Sequence, residues 1–398
     1  MIYVITVICL IALILFYDFK GKINTKEYNR IYNFVMLWFI AVSGLAYNVG
    51  SDIPIYMRWY DEISWNNIKS LSDLFDYENH LMPGWNLLML LCKSISSNFV
   101  LPKMVISIFC NWSIFRFIKR HSVYPFITVL FYSLSLYLNM NFNALRQMVA
   151  VSVFLLSYDY LLNRNFIKYY LMVILAYMFH SSALICLFFP LLHLFNLSKK
   201  TVLLSSIVIV VFSILILVSD IRNIINTVVI LSANFVSADI QELTEMYLTD
   251  VSGHSLNFNG ILMIAMNLIT VGVIVLFSYN KDNRDSMIYK MSLLYCLFYA
   301  LNFSIGIIFS RLIYYVELFY ICILPLGVMN ISRIFVRSHK APIVAIIILV
   351  FLANGPINNL YRVNPKYDYP LLVQYYPYYS VLNPRIDPIR NTLFGSYE

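Results

Sequence analysis

Four side chains in this sequence could carry out chemistry on a phosphorylated or hydroxylated substrate: Arg146, His180, Arg311 and Glu317. Arg146 and Gln147 open an otherwise apolar stretch, "FNALRQMVAVSVFLL". His180 closes the next one in "AYMFHSS", and Arg311 opens a later one in "SRLIYYVELFY". A guanidinium at a membrane edge costs several kcal/mol unless something neutralises it, and its planar fork matches a phosphate with two hydrogen bonds at once. Histidine, with an ordinary pKa near 6.5, exchanges a proton at neutral pH. Glu317 lies two helical turns into the span opened by Arg311; it is either that arginine's counter-ion or a catalytic carboxylate. For each arginine the competing reading is a side chain that snorkels to lipid headgroups.

The elements that position these groups are membrane spans. Of 398 residues, 61% are hydrophobic and 12% charged, against about 25% charged in a soluble domain. Spans of about 20 apolar residues cross a bilayer as helices, and twelve stretches qualify: 2–17, 31–48, 100–118, 124–140, 145–162, 166–180, 182–197, 202–218, 259–279, 288–309, 312–330 and 342–355. Composition marks no linker, so residues 1–398 read as a single integral, all-α polytopic domain. The first stretch has Lys20, Lys22, Lys26 and Arg30 after it and no basic residue before it, which puts the N-terminus outside.

Threading the chain this way leaves 17 of its 28 lysines and arginines in short inner connections, as the positive-inside rule asks. Counting "MPGWNLLMLLCKSI", Met82 to Ile95, as a span would invert every later loop. It reads instead as a re-entrant or interfacial helix of the outer face. The long outer segments are about 50–81, 219–257 and the tail 356–398. Within the second, "ADIQELTEMYL" forms an amphipathic surface helix. The tail, "YDYPLLVQYYPYYSVLNP", is too rich in proline for a helix and too aromatic for a disordered linker, and is expected to fold over the outer cavity.

Arg146, His180 and Arg311 then share the outer side. Fifteen residues per arm of the 166–197 hairpin rise only about 22 Å, so His180 is expected below the outer surface. Asp159 is expected to pair with Arg164 near the inner face. The six cysteines lie in apolar runs without a CxxC pair and read as buried hydrophobes. Walker, GxGxxG, GxSxG, HExxH and DxD patterns are all missing from the sequence, so no cofactor, metal or nucleic-acid partner is expected and the energy must arrive with the substrate. The acids and histidine Glu242, Glu245, Asp250 and His254 match no recognised metal spacing.

The stretch from Phe142 to Leu191, with its arginine–glutamine helix start, basic turn and Phe-His-Ser close, resembles the core of the EpsG/Wzy-like bacterial polysaccharide polymerases. "GSDIPIYMRWY", "SRLIYYVELFYICILPL" and "YYPYYSVLNP" agree in order. One departure is Met82 in "HLMPGW", where such proteins often have a glutamate; the nearest acid is Glu78. The resemblance implies a GT-C-like glycosyltransferase of the bacterial inner membrane, its active site facing the periplasm. It would join undecaprenyl-pyrophosphate-linked oligosaccharide units into an O-antigen, capsule or exopolysaccharide, among membrane lipids and beside a chain-length regulator and a flippase. It also implies catalytic roles for Arg146, His180, Arg311 and Glu317, and substrate binding by Asp52, Tyr56, Asn143, Gln147, Tyr314, Tyr376 and Tyr378. The alternatives are a membrane O-acyltransferase, although the candidate residues face outward and its acyl donor often comes from the cytoplasm, or another lipid-linked glycosyltransferase; a lipid-linked oligosaccharide flippase ranks below them, since it would show two related halves that the sequence lacks.

Overall fold

A computed structural model describes residues 2–19, 25–68, 74, 82–218, 258–280, 286–305, 307–336, 340–364 and 368–394. In hydrocarbon every backbone N–H and C=O must be satisfied within the chain, which selects helices, and the described chain is almost entirely helical. In order the helices are α1 (Ile2–Leu13, extended by a π turn to Asp18), α2 (Thr25–Gly44), α3 (Ile53–Glu62), α4 (Pro83–Lys93), α5 (Val100–His121), α6 (Pro125–Tyr132), α7 (Leu138–Phe142), α8 (Leu145–Leu162) and α9 (Phe166–Tyr177). Beyond a 3₁₀ arm, Ser181–Leu194, come α10 (Lys199–Val218), α11 (Phe258–Ser278), α12 (Ser286–Ile305), α13 (Ile307–Phe335) and α14 (Ala341–Tyr361). A two-residue hairpin, β1 (Val363–Asn364) with β2 (Tyr369–Pro370), precedes α15 (Pro388–Phe394).

Among the described residues each apolar stretch named above lies mostly on a helix, with 31–48 and 166–180 overrunning their helices and 288–309 passing from α12 into the start of α13. Four described helical segments are long and apolar enough to cross a membrane by themselves: Val100–His121, Leu145–Leu162, Phe309–Phe335 and Ala341–Tyr361. Large apolar side chains also cover the outside, among them Ile8, Phe34, Leu171, Phe188 and Phe351, each at least 60% exposed. Water would not tolerate that surface and lipid does, so the protein is embedded in a membrane.

The chain divides into two compact units, residues 1–190 with 346–398, and residues 191–345. In the first, α5 packs between α2 and α8, and α9 lies along α8. A buried polar spine joins the helices: Ser43 Oγ lies 2.5 Å from Ser107 Oγ, Asn111 Nδ2 donates to Asn141 Oδ1 at 2.9 Å, and the Tyr132 hydroxyl donates to Asn111 Oδ1 at 3.2 Å. Interhelical hydrogen bonds of this kind hold helices together where the hydrophobic effect cannot. In the second unit α13 packs on α11 and α12, and Ser278 Oγ ties α11 to the Ile323 carbonyl of α13 at 3.1 Å.

Four details differ from the sequence reading. The stretch 124–140 is interrupted by a π turn at Ser133–Tyr137. The second arm of the hairpin is a 3₁₀ helix, pinned by the Tyr169 hydroxyl donating to the Cys186 carbonyl at 2.6 Å; fourteen residues at about 2.0 Å each span about 28 Å, longer than an α-helical arm. Asp159 pairs with Arg120 of α5 and not with Arg164, which turns the chain out of α8 at φ +56°. The tail begins at 362, since α14 continues through Pro356 to Tyr361. The amphipathic 238–248 segment, the candidate metal ligands of that loop and Glu78 lie outside the described residues.

Helix α4 has eleven residues, about 16 Å of rise, half of what a crossing needs. It starts on Pro83 and lies against the end of α9: Gly84 N donates to the Met178 carbonyl at 2.8 Å. A Cβ on Gly84 would stand 2.8 Å from that oxygen and 2.9 Å from the Met178 Cβ, neither of which is free to give way. Gly84→Ala is therefore expected to push α4 off α9 and lower the thermal midpoint of the purified protein by several degrees, as an overpacked contact of about 1–3 kcal/mol does. Gly355→Ala, where a Cβ meets open space, serves as the control and is expected to leave it unchanged.

Candidate functional site

The turn between α7 and α8 decides where Arg146 stands. Asn143 ends α7, Leu145 N bonds back to the Asn143 carbonyl at 3.0 Å, and Ala144 forms the N-cap of α8 without a side-chain cap. Alanine is among the poorest N-caps, so the first-turn N–H groups and the positive helix end are left to other partners. Arg146 lies in that first turn. Its guanidinium carbon is 5.7 Å from the centre of the Trp59 ring, and its buried Nε has no hydrogen-bond partner. Among the described residues no carboxylate pairs with it.

Trp59 comes from α3, where Pro54 enters the first turn and Ile53, Tyr56, Met57 and Tyr60 form the buried face. Tyr56 packs between Trp59 and the fully buried Trp85 of α4, at 5.7 and 5.3 Å between ring centres. Trp85 follows Gly84, whose bond to Met178 brings the start of α4 beside His180. Lys93 Nζ donates to the Tyr60 carbonyl at 2.6 Å and closes the other end of the α3–α4 pair.

His180 is 8% exposed. The Ser182 backbone N–H donates to its Nδ1 at 3.2 Å, and Ser182 Oγ lies 2.7 Å from the same nitrogen. Nδ1 is therefore an acceptor, and the proton of the neutral ring sits on Nε2. Buried Gln147 donates to Ser182 Oγ at 3.4 Å. One relay of donors thus runs from the residue next to Arg146 to His180.

The third component is the tail. Asn143 Oδ1 accepts from Ser51 N at 2.8 Å, while its Nδ2 donates to Gln374 Oε1 at 2.7 Å and to the Tyr375 hydroxyl at 2.9 Å. The Gln374 carbonyl accepts from Gly50 N at 2.9 Å and from Arg390 at 3.3 Å. Gly50 has φ +113°, and a Cβ there would lie 2.0 Å from the Phe142 carbonyl oxygen, so only glycine fits. Arg390 also donates to the Pro377 carbonyl at 2.7 Å and lies over the Tyr379 ring; burial lowers its pKa, with Asp387 opposing. The Tyr378 hydroxyl donates to the Val42 carbonyl at 3.0 Å, and burial pushes its phenol up to about 12.

The expected site residues therefore separate. Arg146, Gln147 and His180 come together in the first unit. Asn143, Tyr56 and Tyr378 have their polar or ring contacts committed to holding that site in place. Tyr376 is 51% exposed beside them, and Asp52 is the N-cap residue of α3, accepting from Ser51 Oγ at 3.0 Å. Arg311, Tyr314 and Glu317 belong to the second unit. Six residues apart on α13, Arg311 and Glu317 point about 120° from one another, with Tyr314 between them; Glu317 stands near Tyr295, Tyr299 and Tyr320. Trp59, Ser182, Gln374, Tyr375 and Arg390 were not singled out from the sequence. Among the described residues no group of three His, Cys, Asp or Glu could hold a metal.

Because Gln374 binds Asn143 through its side chain and Gly50 through its backbone, the two links can be separated. Gln374→Ala removes one acceptor worth about 1 kcal/mol. It is expected to speed amide exchange in peptides covering 45–52 and 374–381, read by hydrogen-exchange mass spectrometry. Gln374→Glu keeps an acceptor oxygen and should exchange like the native chain.

Comparison with known proteins matches the sequence model of the EpsG family to residues 29–380. No curated protein and no solved structure matches the chain. That match covers most of the sequence, including the α7–α8 turn, the His180 corner and the tail knot at Gln374. The chain belongs to the EpsG family.

Proposed function

We propose that this protein is a polysaccharide polymerase of the bacterial inner membrane. It transfers a growing chain from undecaprenyl pyrophosphate to a sugar hydroxyl of the next lipid-linked repeat unit, on the periplasmic side. The observation that carries the reading is Arg146: a half-buried guanidinium on an indole face, at an uncapped helix start, without a carboxylate beside it among the described residues. A cation–π contact contributes about 0.5–2 kcal/mol, less than the several kcal/mol that a guanidinium at a membrane edge costs. An anionic ligand would supply the difference.

In this reaction the bond from the anomeric carbon to the pyrophosphate oxygen breaks, a bond from that carbon to the acceptor oxygen forms, and the acceptor hydroxyl loses its proton. Charge develops on the leaving pyrophosphate, and Arg146 with the N–H groups of the first turn of α8 stabilises it. His180, with Nδ1 engaged by Ser182, presents Nε2–H as a donor that orients the acceptor or a phosphate oxygen. The departing pyrophosphate oxygen takes that proton; for Arg311 and Glu317 the catalytic roles remain those that the family resemblance implies. Tyr376 supplies an exposed ring on which a sugar can stack. A flippase and a membrane acyltransferase are the competing classes, and nothing at Arg146 favours either.

Incubation of the purified protein with lipid-pyrophosphate-linked repeat units tests the proposal directly; a ladder of chain lengths is expected, and unextended units from folded protein would refute it. In the same assay Arg146→Ala should abolish polymer, and Arg146→Lys, which keeps the charge and loses the fork, should lose most of it. Native-like polymer from well-expressed Arg146→Lys would return this residue to the role of a membrane anchor. His180→Gln, which still donates, should retain a measurable fraction, whereas His180→Phe should not. Chelation by EDTA should leave the ladder unchanged.

A further inference from the structure

The opposite end of the first unit holds a second feature. Along α5 the exposed positions are Val105, Ile108 and Trp112, at 38%, 49% and 40%, followed by Arg116 and then Lys119 and Arg120. Steps of three and four residues put them on one face. The face thus runs from aliphatic to indole to guanidinium, the order of hydrocarbon, interface and headgroup along a bilayer normal.

Beside it, between α5 and α8, opens a shallow cleft lined by Arg116, Arg120, His121, Leu155, Leu156 and Asp159. Asp159 pairs with Arg120, and His121 is held between the rings of Phe117 and Tyr158, at 4.5 and 5.2 Å. Arg116 is different: its guanidinium lies 5.5 Å from the Trp112 ring centre, and among the described residues no acid pairs with it. The cleft therefore carries one uncompensated fork. The enclosed space of about 20 Å3 takes one phosphate oxygen beside Arg116, so the rest of a headgroup would lie on the exposed face of α5. Asp159 lies thirteen residues along α8 from Arg146, about 20 Å at 1.5 Å per residue, so this is a separate site.

We propose that the α5–α8 cleft binds the headgroup of an anionic phospholipid, with the phosphodiester on Arg116 and the acyl chains along Trp112, Ile108 and Val105. A free phosphate ion would satisfy the same guanidinium. The apolar stripe leading out of the cleft favours the lipid, because it gives the chains a surface that a soluble ion would not use. On the sequence threading this is the cytoplasmic face, whose leaflet attracts basic side chains to anionic lipid.

The test is native mass spectrometry of the full-length protein released from nanodiscs of equimolar phosphatidylglycerol and phosphatidylcholine. The native protein is expected to retain phosphatidylglycerol in excess. Arg116→Gln, at an exposed position that does not threaten folding, should lower the excess about tenfold, the loss of one charge-assisted contact. Arg30→Gln, which removes an exposed cation of α2 on the same side, should leave it unchanged. An excess that survives Arg116→Gln, or falls equally with Arg30→Gln, would overturn the site in favour of diffuse attraction. Displacement of the lipid by inorganic phosphate, with equal stabilisation by phosphate in pure phosphatidylcholine, would overturn it in favour of a soluble ion.

Discussion

The Asn143 side chain joins three stretches of chain that are far apart in sequence, and the end of the first unit that holds Arg146 depends on it. Through Oδ1 it holds Ser51 and with it the approach to α3; through Nδ2 it holds Gln374 and Tyr375 of the tail; its own backbone ends α7 and starts α8. Removing one partner from such a network leaves buried groups unpaired, which costs more than the bond itself contributes. Gly50 shows how tight the junction is, since only a residue without a Cβ can pass the Phe142 carbonyl with φ +113°.

From that junction the position of Arg146 follows. It lies three residues beyond Asn143, in the first turn of a helix with no capping side chain, and Trp59 arrives beneath it because Ser51 fixes the start of α3. The α3–α4 pair and the tail serve as walls, tied by Lys93, by the Gly84–Met178 bond and by Arg390. The positive charge is placed by the fold and left without a protein anion among the described residues, an arrangement that makes sense if an anionic ligand completes it. The other end of α8 is different, for there Asp159 and Arg120 neutralise each other.

Much of the architecture was legible because it is local. Apolar runs of helical length give helices whatever lies around them, and the distribution of lysine and arginine kept Met82–Ile95 from being counted as a crossing, in agreement with the eleven residues of α4. Local reasoning failed where partners are distant. Asp159 looked toward nearby Arg164, yet its partner is on another helix, 39 residues away. The 3₁₀ register of Ser181–Leu194 differs from an α-helix only in which carbonyl each N–H meets, and the Tyr169 bond that fixes it has no sequence signature. The helix through Asn354-Gly355-Pro356 ran past a stop signal that is strong in water and weaker in lipid. At the site, Arg146, Gln147 and His180 announced themselves as polar residues at apolar helix ends. Trp59 and Gln374 did not, because an aromatic or an amide between spans is commonplace until its neighbour is known.

The central claim is that Arg146 awaits a pyrophosphate, and equilibrium binding tests it without requiring turnover. Purified protein would be titrated with undecaprenyl pyrophosphate and with undecaprenol, which shares the tail and lacks the charge. The account predicts that the pyrophosphate binds at least about tenfold more tightly, one charge-assisted fork being worth on the order of 1.5–3 kcal/mol, and that Arg146→Ala erases the difference. Equal binding of the two lipids by the native protein, or a preference for pyrophosphate that persists in Arg146→Ala, would contradict it.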